Sequence, residues 1–289
     1  MPELEFAELE GFGEKLLKHN NKIFPYFATD LLKIKSFRTR SDDVFVIAYP
    51  KSGTTWTEEI VWLIQNNLDF EKASSVAHSD RVVFLEEKPL VQNDFFEPPR
   101  VFKSHLTFDY LPQNIEKNSK IIYVMRNPKD MLVSYFHFVK WIKGFSFVGE
   151  FSVILDHFIQ NRIIYGNWCE HVNQFFENTK VLFLTFEDLL DSPIETIKKI
   201  ACFLGKELTD DQIQKLIDFT SFKKMKKNSS FFFQKADDSK QQNQLDLFFR
   251  KGEIGDWINY FNEEMSSKLK DKLSKELNPS IQIKYFSSK

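Results

Sequence analysis

Three continuous apolar runs of strand length stand out along the chain. They cover residues 44–49, 121–125 and 181–184. Runs of this kind, without alternating polar positions, are typical of parallel strands that are covered on both faces. They therefore predict three strands of a buried parallel sheet.

A stretch with helical spacing follows each run. These stretches are residues 55–65, a helix that begins at Pro128, and residues 193–204 with Gly205 at the end. Three successive strand–loop–helix units predict an α/β fold, as a single domain over residues 1–289 with a central parallel sheet flanked by helices. Ligands of such sheets bind beyond the carboxyl ends of the strands, so we expect a site after each run.

The last third of the chain is more polar. Residues 210–219 and 256–277 carry helical patterns, whereas residues 226–247 show no clear periodicity. Long loops in compact domains are usually functional lids or disordered segments. We therefore predict a mobile lid loop at about residues 226–247.

Composition and charge narrow the classes of function. The 289 residues carry a formal net charge of −2, which matches neither DNA nor an anionic membrane surface. The two cysteines form no disulfide framework, and no apolar run reaches the ~18 residues of a membrane span. The N-terminus lacks a signal-peptide pattern. We expect a cytoplasmic protein without nucleic-acid or membrane partners.

Residues 49–56, with the sequence YPKSGTTW, connect the first run to the first helix. Backbone N–H groups at a helix N-terminus favour anions, and here Lys51 adds a positive charge while Gly53 lets an oxyanion approach the backbone. The P-loop of nucleoside triphosphatases has two glycines and a differently placed lysine. The segment therefore predicts a P-loop-like anion site of another kind. No spacing of metal ligands is found along the chain, and no metal is expected.

Five segments in chain order resemble those of the cytosolic sulfotransferases. They are residues 49–56, 102–106 (FKSHL), 123–130 (YVMRNPKD) with Ser134, 220–228 (TSFKKMKKN) and 249–257 (FRKGEIGDW). The resemblance implies transfer of a sulfuryl group from 3′-phosphoadenosine 5′-phosphosulfate (PAPS) to a hydroxyl of a small apolar acceptor, such as a phenol, a steroid or another alcohol. The product of the donor is 3′-phosphoadenosine 5′-phosphate (PAP). Residues 56–73 resemble insect members of the family most.

The resemblance also implies a donor site, in which Arg126, Arg250 and Lys251 bind the 3′-phosphate and Trp56 and Phe222 stack on the adenine. Arginine suits a phosphate because it can bind it in bidentate fashion. The donor-binding residues that it implies are Lys51, Ser52, Gly53, Thr54, Thr55, Trp56, Arg126, Ser134, Phe186, Thr220, Phe222, Phe249, Arg250, Lys251 and Gly252.

His105 is the candidate general base, because a protonated hydroxyl is a poor nucleophile and histidine has the side chain whose ordinary pKa lies near neutrality. By the same resemblance, Lys51 meets the leaving 5′-phosphate, Lys103 meets the transferring group, and Ser134 holds Lys51 away from the donor until the acceptor arrives. The implied acceptor pocket is lined by Phe27, Phe84, Lys103, His105, Phe138, Tyr165 and Phe248.

The chain departs from the family pattern at three places. Ser104 stands where threonine is more frequent, and Phe186 stands where tyrosine is usual, which removes a hydrogen-bond donor near the nucleotide. The short dimer motif K-x-x-x-T-V-x-x-x-E is absent from residues 268–277, so a homodimer stays open but is not expected through that surface. Three alternatives stay open as well: a nucleotide kinase, a non-catalytic nucleotide or ligand carrier, and a dehydratase that acts through a transient sulfate ester.

Overall fold

The computed structural model describes residues 4–87, 97–142, 144–231 and 246–286, and its strands form two sheets. The strands are β1 Glu5–Ala7, β2 Leu16–His19, β3 Lys22–Phe24, β4 Val44–Ala48, β5 Val82–Phe84, β6 Val101–Ser104, β7 Lys120–Met125 and β8 Val181–Thr185. The larger sheet has the order β5-β6-β4-β7-β8, and all of its neighbouring strands are parallel. The predicted α/β fold with a central parallel sheet is confirmed.

Helices cover both faces of this sheet. The α-helices are α1 Thr54–Gln65, α2 Phe70–Ser75, α3 His78–Arg81, α4 Ile115–Asn118, α5 Pro128–Trp141, α6 Phe151–Ile159, α7 Trp168–Phe176, α8 Phe186–Asp191, α9 Pro193–Leu204, α10 Asp210–Phe219, α11 Phe222–Met225 and α12 Glu263–Glu276. Turns of 3-10 helix cover Leu31–Ser36, Ser229–Phe231 and Asp256–Asn259. Proline begins α5, where its fixed φ suits the first helical position, and Gly205 ends α9 with a φ of 73°.

The residues of β4 show why the apolar runs are continuous. Val44 and Val46 pack into the core on one face of the sheet, and Phe45 and Ile47 pack into the core on the other face. All four side chains are fully buried. Because successive side chains of a strand point to opposite faces, a strand covered on both faces must be apolar throughout.

The strands that the apolar pattern did not predict are short. Strands β5 and β6 have three and four residues, and Lys103 interrupts the apolar character of β6. The smaller sheet, with the antiparallel order β1-β2-β3, is also built from strands of three or four residues. So few positions carry too little periodicity to distinguish a strand from a loop.

The two ends of the predicted lid are described, whereas its residues 232–245 lie outside the described part of the chain. At the first end, Phe231 is buried and its ring lies 5.6 Å from that of Phe249, measured between centroids. The first end of the lid is therefore packed directly against residues 249–257. The polar last third otherwise folds into α10 and α12, as its helical patterns indicate, and into the short α11, which they did not predict.

Candidate active site

The carboxyl ends of all five parallel strands meet at one cavity of about 400 Å³. Phe84 ends β5, Lys103 lies near the end of β6, Lys51 follows β4, Arg126 follows β7 and Phe186 follows β8. All five residues line the cavity. The parallel topology thus brings together side chains that are distant in the sequence.

The loop after β4 turns sharply into α1. Lys51 and Gly53 both have positive φ, 69° and 96°, and the hydrogen-bond ladder of the helix starts with the Thr57 N–H donating to the Gly53 carbonyl at 3.1 Å. The N–H groups of the first turn therefore remain for a ligand at the start of the helix. A Cβ at position 53 would lie 2.6 Å from the Phe186 ring, so glycine allows the loop and the ring to pack together.

Lys51 extends between two aromatic rings of the cavity. Its Nζ lies 4.5 Å from the centroid of Phe138 and 4.4 Å from that of Phe248. Burial, and after it the positive charge of Lys103, lowers the pKa of Lys51 from 10.5 to about 7. A cluster of cations that disfavours its own charged state has a strong electrostatic preference for an anion.

The side chain of Arg126 lines the cavity and is held by an aromatic ring and two backbone carbonyls. Its guanidinium lies over the Phe186 ring at 4.2 Å, and it donates hydrogen bonds to the carbonyls of Lys51 at 3.3 Å and Glu253 at 2.9 Å. Its buried Nε has no hydrogen-bond partner among the described residues. A guanidinium fixed in this way is pre-organised to bind a planar or tetrahedral oxyanion.

A single carboxylate holds Arg250 and Lys251. Arg250 Nη1 and Lys251 Nζ each lie 2.5 Å from an oxygen of Asp256. Burial acts to raise the pKa of Asp256, but the hydrogen bonds from Lys251, Asn259 and Arg250 outweigh it and lower this pKa to about 2. Asp256 therefore stays charged and keeps the two cations side by side.

Residues 249–257, which we call the clamp segment, are tied to α5 and to Phe222. Asp130 on α5 accepts the Gly255 N–H at 2.7 Å and the Trp257 N–H at 3.1 Å. Gly252 has a φ of 69°, and a Cβ there would lie 2.3 Å from the Phe222 ring. The backbone of the clamp segment thus lies so close to the Phe222 ring that only glycine fits at position 252.

The expected adenine residues line the cavity between the loop at Lys51 and the clamp segment. Trp56 and Phe222 both pack against a small cluster that includes Phe249. The Thr220 hydroxyl donates to the Leu216 carbonyl at 2.8 Å, so this hydroxyl can only accept a further hydrogen bond from a ligand. Two aromatic faces and a hydroxyl suit a purine base with its sugar.

The tautomer of His105 is fixed by its surroundings. Its Nδ1 lies 2.7 Å from the carbonyl oxygen of Ala48, and because a carbonyl only accepts, Nδ1 carries the proton and Nε2 keeps a lone pair. Burial, and after it the charge of Lys103, lowers the pKa of His105 well below its usual value. The imidazole is therefore neutral near pH 7 and is able to accept a proton at Nε2.

Aromatic rings surround His105 at this end of the cavity. Its ring is 5.5 Å from Phe84 and 5.4 Å from Tyr165, both in edge-to-face geometry, and Phe27 is 5.8 Å from Phe84. Lys103 Nζ lies over the Phe84 ring at 4.2 Å. One basic nitrogen and one ammonium group thus face an otherwise apolar space.

Nearly all of the site residues expected from the sequence line this one cavity. They are Phe27, Lys51, Gly53, Thr54, Thr55, Trp56, Phe84, Lys103, His105, Arg126, Ser134, Phe138, Tyr165, Phe186, Thr220, Phe222, Phe248, Phe249, Arg250, Lys251 and Gly252. Ser52 is the exception, because it does not line the cavity, and its role in donor binding stays a prediction. The turns at Lys51 and Gly53 direct its side chain into the protein interior, where it is fully buried.

Asp130 and Asp256 hold the clamp segment and its cations, and the sequence pattern did not reveal them. Both stand inside segments that were selected for their cations, and both hold those segments in place. An acidic residue within a cationic motif is the signal that could have identified them, because a buried carboxylate requires partners.

Features of metal-binding and membrane-spanning proteins are not found in the part of the chain that the structure describes. It contains no group of three or more His, Cys, Asp or Glu side chains arranged to hold a metal ion. In the described helices, none combines the length and the apolar character that crossing a bilayer requires.

Comparison with known proteins decides the family. The family model of the sulfotransferase domain matches residues 41–280. The chain belongs to the sulfotransferase family. Sulfotransferase 1E1 of Bos taurus is 35% identical to this sulfotransferase over 85% of this chain and 87% of the relative. Sulfotransferase 1B1 of Canis lupus familiaris is also 35% identical, over 92% of this chain and 94% of the relative.

Solved structures share the fold over nearly the whole chain. Retinol dehydratase in complex with androsterone and inactive cofactor PAP has a TM-score of 0.82 at 26% identity, over 98% of this chain and 99% of that chain. Mouse sulfotransferase SULT7A1 complexed with PAP has a TM-score of 0.75 at 28% identity, over 92% and 96% of the two chains. The resemblance read from the motifs is confirmed.

This sulfotransferase is a PAPS-dependent enzyme that transfers sulfuryl groups to small-molecule acceptors. The dehydratase and carrier alternatives are not favoured, since curated relatives that align along most of the chain are sulfotransferases. The closer resemblance to insect members and the cytoplasmic location stay predictions.

Proposed function

We propose that this sulfotransferase acts in the cytoplasm on the hydroxyl of a small, neutral, largely apolar acceptor, with His105 as the general base. The observation that carries the proposal is the hydrogen bond from His105 Nδ1 to the Ala48 carbonyl, which leaves Nε2 as a proton acceptor in the cavity. His105 stands where the aromatic part of the cavity meets its cationic part.

The donor fits the cationic part of the cavity by charge. In this proposal the 3′-phosphate binds Arg126, Arg250 and Lys251, while the 5′-phosphosulfate binds the first turn of α1 and Lys51. The support is the concentration of cations around the cavity: burial, and after it the charges of Lys103, Arg126 and Arg250, lower the pKa of Lys51 to about 7. Trp56 and Phe222 stack on the adenine between the two anionic ends.

The reaction is an in-line substitution at sulfur. The acceptor oxygen forms a bond to sulfur as the bond from sulfur to the 5′-phosphate oxygen breaks, and the hydroxyl proton moves to His105 Nε2. Lys51 stabilises the negative charge on the leaving phosphate, and Lys103 stabilises the oxygens of the transferring group. Ser134, one helical turn before Phe138 on α5, lines the cavity near Lys51 and modulates the position of its ammonium.

The charge of the lining residues selects against cationic acceptors. Among the described residues that line the cavity there is no Asp or Glu, whereas five side chains are Lys or Arg. Phe27, Phe84, Phe138, Tyr165 and Phe248 supply the apolar walls. An acceptor that carries an ammonium group would meet like charges without a carboxylate to compensate for its desolvation.

The test is a pair of phenols of equal size that differ in charge. Para-propylphenol and tyramine, which replaces the terminal methyl by an ammonium, are each supplied with radiolabelled PAPS. We expect kcat/KM for para-propylphenol to exceed that for tyramine by at least about tenfold, which corresponds to ~1.4 kcal/mol. Equal kcat/KM values for the two phenols would contradict the proposed acceptor class. The His105→Ala variant serves as the control for transfer that does not involve the base.

A further inference from the structure

The peptide groups of His105 are held on both sides by buried side chains. On one side, the His105 N–H donates to Glu86 Oε1 at 2.6 Å. On the other side, His171 Nε2 donates to the His105 carbonyl at 3.0 Å. Together with the bond from Nδ1 to the Ala48 carbonyl, three hydrogen bonds fix this one residue.

Glu86 lies just beyond β5, where the Leu85 N–H donates to the Lys103 carbonyl at 3.0 Å and extends the pairing with β6. The residue is 2% exposed, and burial raises the pKa of its carboxyl to about 7 although the His105 N–H opposes this shift. A buried carboxyl has a considerable desolvation cost. Here that group is directed at the backbone of the segment that contains Lys103 and His105.

His171 on α7 is itself fixed in one tautomer. Its Nε2 faces a carbonyl and therefore carries the proton, so Nδ1 accepts from the Tyr123 hydroxyl at 2.8 Å. Burial lowers the pKa of His171 to about 4, so the ring is neutral near pH 7. The Tyr123 ring, on β7, is fully buried and holds the imidazole from the sheet side.

Neither Glu86 nor His171 lines the cavity, whereas His105, to which both are hydrogen-bonded, does. A general base must lie within about 2.6–3.2 Å of the proton that it accepts, and small displacements are costly. The Ala48 carbonyl fixes the ring only if the His105 backbone stays where its peptide groups are anchored.

We propose that Glu86 and His171 are positioning residues that hold the backbone of His105, so that its ring keeps Nδ1–H on the Ala48 carbonyl and presents Nε2 to the acceptor. This inference rests on the proposed role of His105 as the base. Without the two anchors, the ring gains other orientations and the second tautomer, and the fraction of productive molecules falls.

The test compares disruptive and conservative substitutions at both positions by single-turnover sulfuryl transfer with saturating PAPS. We expect Glu86→Ala and His171→Phe to lower the transfer rate about 10- to 100-fold, with the Kd of PAP and the KM of the acceptor changed by less than about twofold. Glu86→Gln and His171→Gln keep an acceptor and a donor at the same places, so each is expected to recover most of the rate. If Glu86→Ala or His171→Phe fails to fold, the two conservative variants still provide a folded protein for the comparison.

Each substitution is then combined with His105→Ala. If Glu86 and His171 act through His105, they change the residual rate of that variant by less than about twofold, because the base that they position is gone. Nitrogen-15 chemical shifts of His105 give a second readout: a single Nδ1–H tautomer in the parent protein, and a mixture of tautomers in Glu86→Ala and His171→Phe.

His19→Phe is the matched control, because His19 is a buried histidine whose Nδ1 lies 2.9 Å from a tyrosine hydroxyl, that of Tyr110, and it does not line the cavity. It should lower thermal stability without changing the transfer rate per folded molecule. The proposal is overturned if the Glu86 and His171 variants keep the parental transfer rate, as this control should. It is also overturned if the same substitutions lower the transfer rate of His105→Ala by as large a factor as they lower that of the parent protein. If His105→Ala transfers at the parental rate, the proposed function fails instead, while the tautomer measurement still tests the positioning.

Discussion

The proposed donor end and the proposed acceptor end of the cavity are built by different means. At the donor end, Arg126 is held by two backbone carbonyls, Arg250 and Lys251 are held by Asp256, and Gly53 and Gly252 bring the backbone against aromatic rings. At the acceptor end, rings from separate parts of the chain contact one another edge to face or at a tilt. Their contacts are Phe27 with Phe84, Phe84 with His105, and Phe138 with Phe145. In our proposal, backbone geometry and charge hold the donor, whereas the apolar rings shape the acceptor pocket and the nearby cations select against cationic acceptors.

Of the substitutions that test this difference between the two ends, Gly252→Ala is expected to have the largest effect, on the binding of PAP. A Cβ at this position would lie 2.3 Å from the Phe222 ring, and the positive φ adds strain. Together they should weaken PAP binding about 100-fold, or ~2–3 kcal/mol, with little change in the acceptor KM. Isothermal titration with PAP measures the loss.

Gly255→Ala is the matched control for that prediction. Gly255 also has a positive φ, 93°, but no atom of the described residues lies within 4 Å of the place that a Cβ would take. The substitution introduces the backbone strain without the collision, so its effect on the Kd of PAP should be clearly smaller. Equal losses for the two variants would show that contact with Phe222 does not matter for the donor.

Loss of a ring at the acceptor end should lower the activity with the acceptor and leave donor binding unchanged. Phe27→Ala removes a half-buried ring from the cavity wall, and we expect kcat/KM for para-propylphenol to fall about tenfold, or ~1.5 kcal/mol, at an unchanged Kd of PAP. Phe37→Ala is the control, since Phe37 is also half-buried but packs on Phe102 away from the cavity. A weakened PAP affinity in Phe27→Ala would show that the two ends are not independent.

Protonation of Lys51 should couple donor binding to pH. Burial and neighbouring cations, Lys103 first among them, lower its pKa to about 7 in the ligand-free protein, and the phosphates of PAP should raise it again. The protonated fraction falls as pH rises through 7, so the PAP affinity should decrease about fivefold from pH 7 to pH 8. At pH 8, binding should take up nearly one proton, as measured by titration calorimetry in buffers of different ionisation enthalpy.

Lys51→Met is the control for this proton uptake, because burial also raises the pKa of Glu58 and that of Glu86 to about 7. The uptake should disappear in the variant. Persistence of the full uptake in Lys51→Met would assign the proton to another group and contradict the electrostatic account of the donor end.

The smallest effect is expected where the sequence departs from the family at Phe186. The ring already packs on Gly53 and beneath Arg126, so Phe186→Tyr adds only a hydroxyl at the cavity. We expect PAP to bind about 0.5–1 kcal/mol more tightly, the usual net contribution of one hydrogen bond. A weaker affinity would mean that the hydroxyl collides with neighbouring atoms, and Kd measurements distinguish the two outcomes.

Features that lie within one continuous stretch of the chain could be predicted from the sequence. The strands at residues 44–49, 121–125 and 181–184 were predicted because a strand covered on both faces is apolar throughout, and the loop at Lys51 was predicted because its donors are contiguous. Strands β5 and β6 were missed because they are short and Lys103 interrupts the pattern.

Contacts between distant residues could not be predicted in this way. Asp130 meets Gly255 across 125 positions, and His171 meets His105 across 66. Such pairs depend on how α5 and α7 pack on the sheet, and no local periodicity encodes that packing. The cationic residues of the donor end were visible in motifs, but which groups the carboxylates of Asp130 and Asp256 hold became visible only in the folded chain.

His105 is the group on which both ends of the cavity converge, and in our proposal it is the base that accepts the proton of the acceptor hydroxyl. The most direct test of this role is single-turnover transfer from PAPS bound to the enzyme, mixed with para-propylphenol, for the parent protein and for His105→Ala. We expect the transfer rate to fall about 100- to 10,000-fold in the variant while the Kd of PAP stays within about twofold. Transfer at the parental rate with PAP bound normally would contradict the assignment of the base.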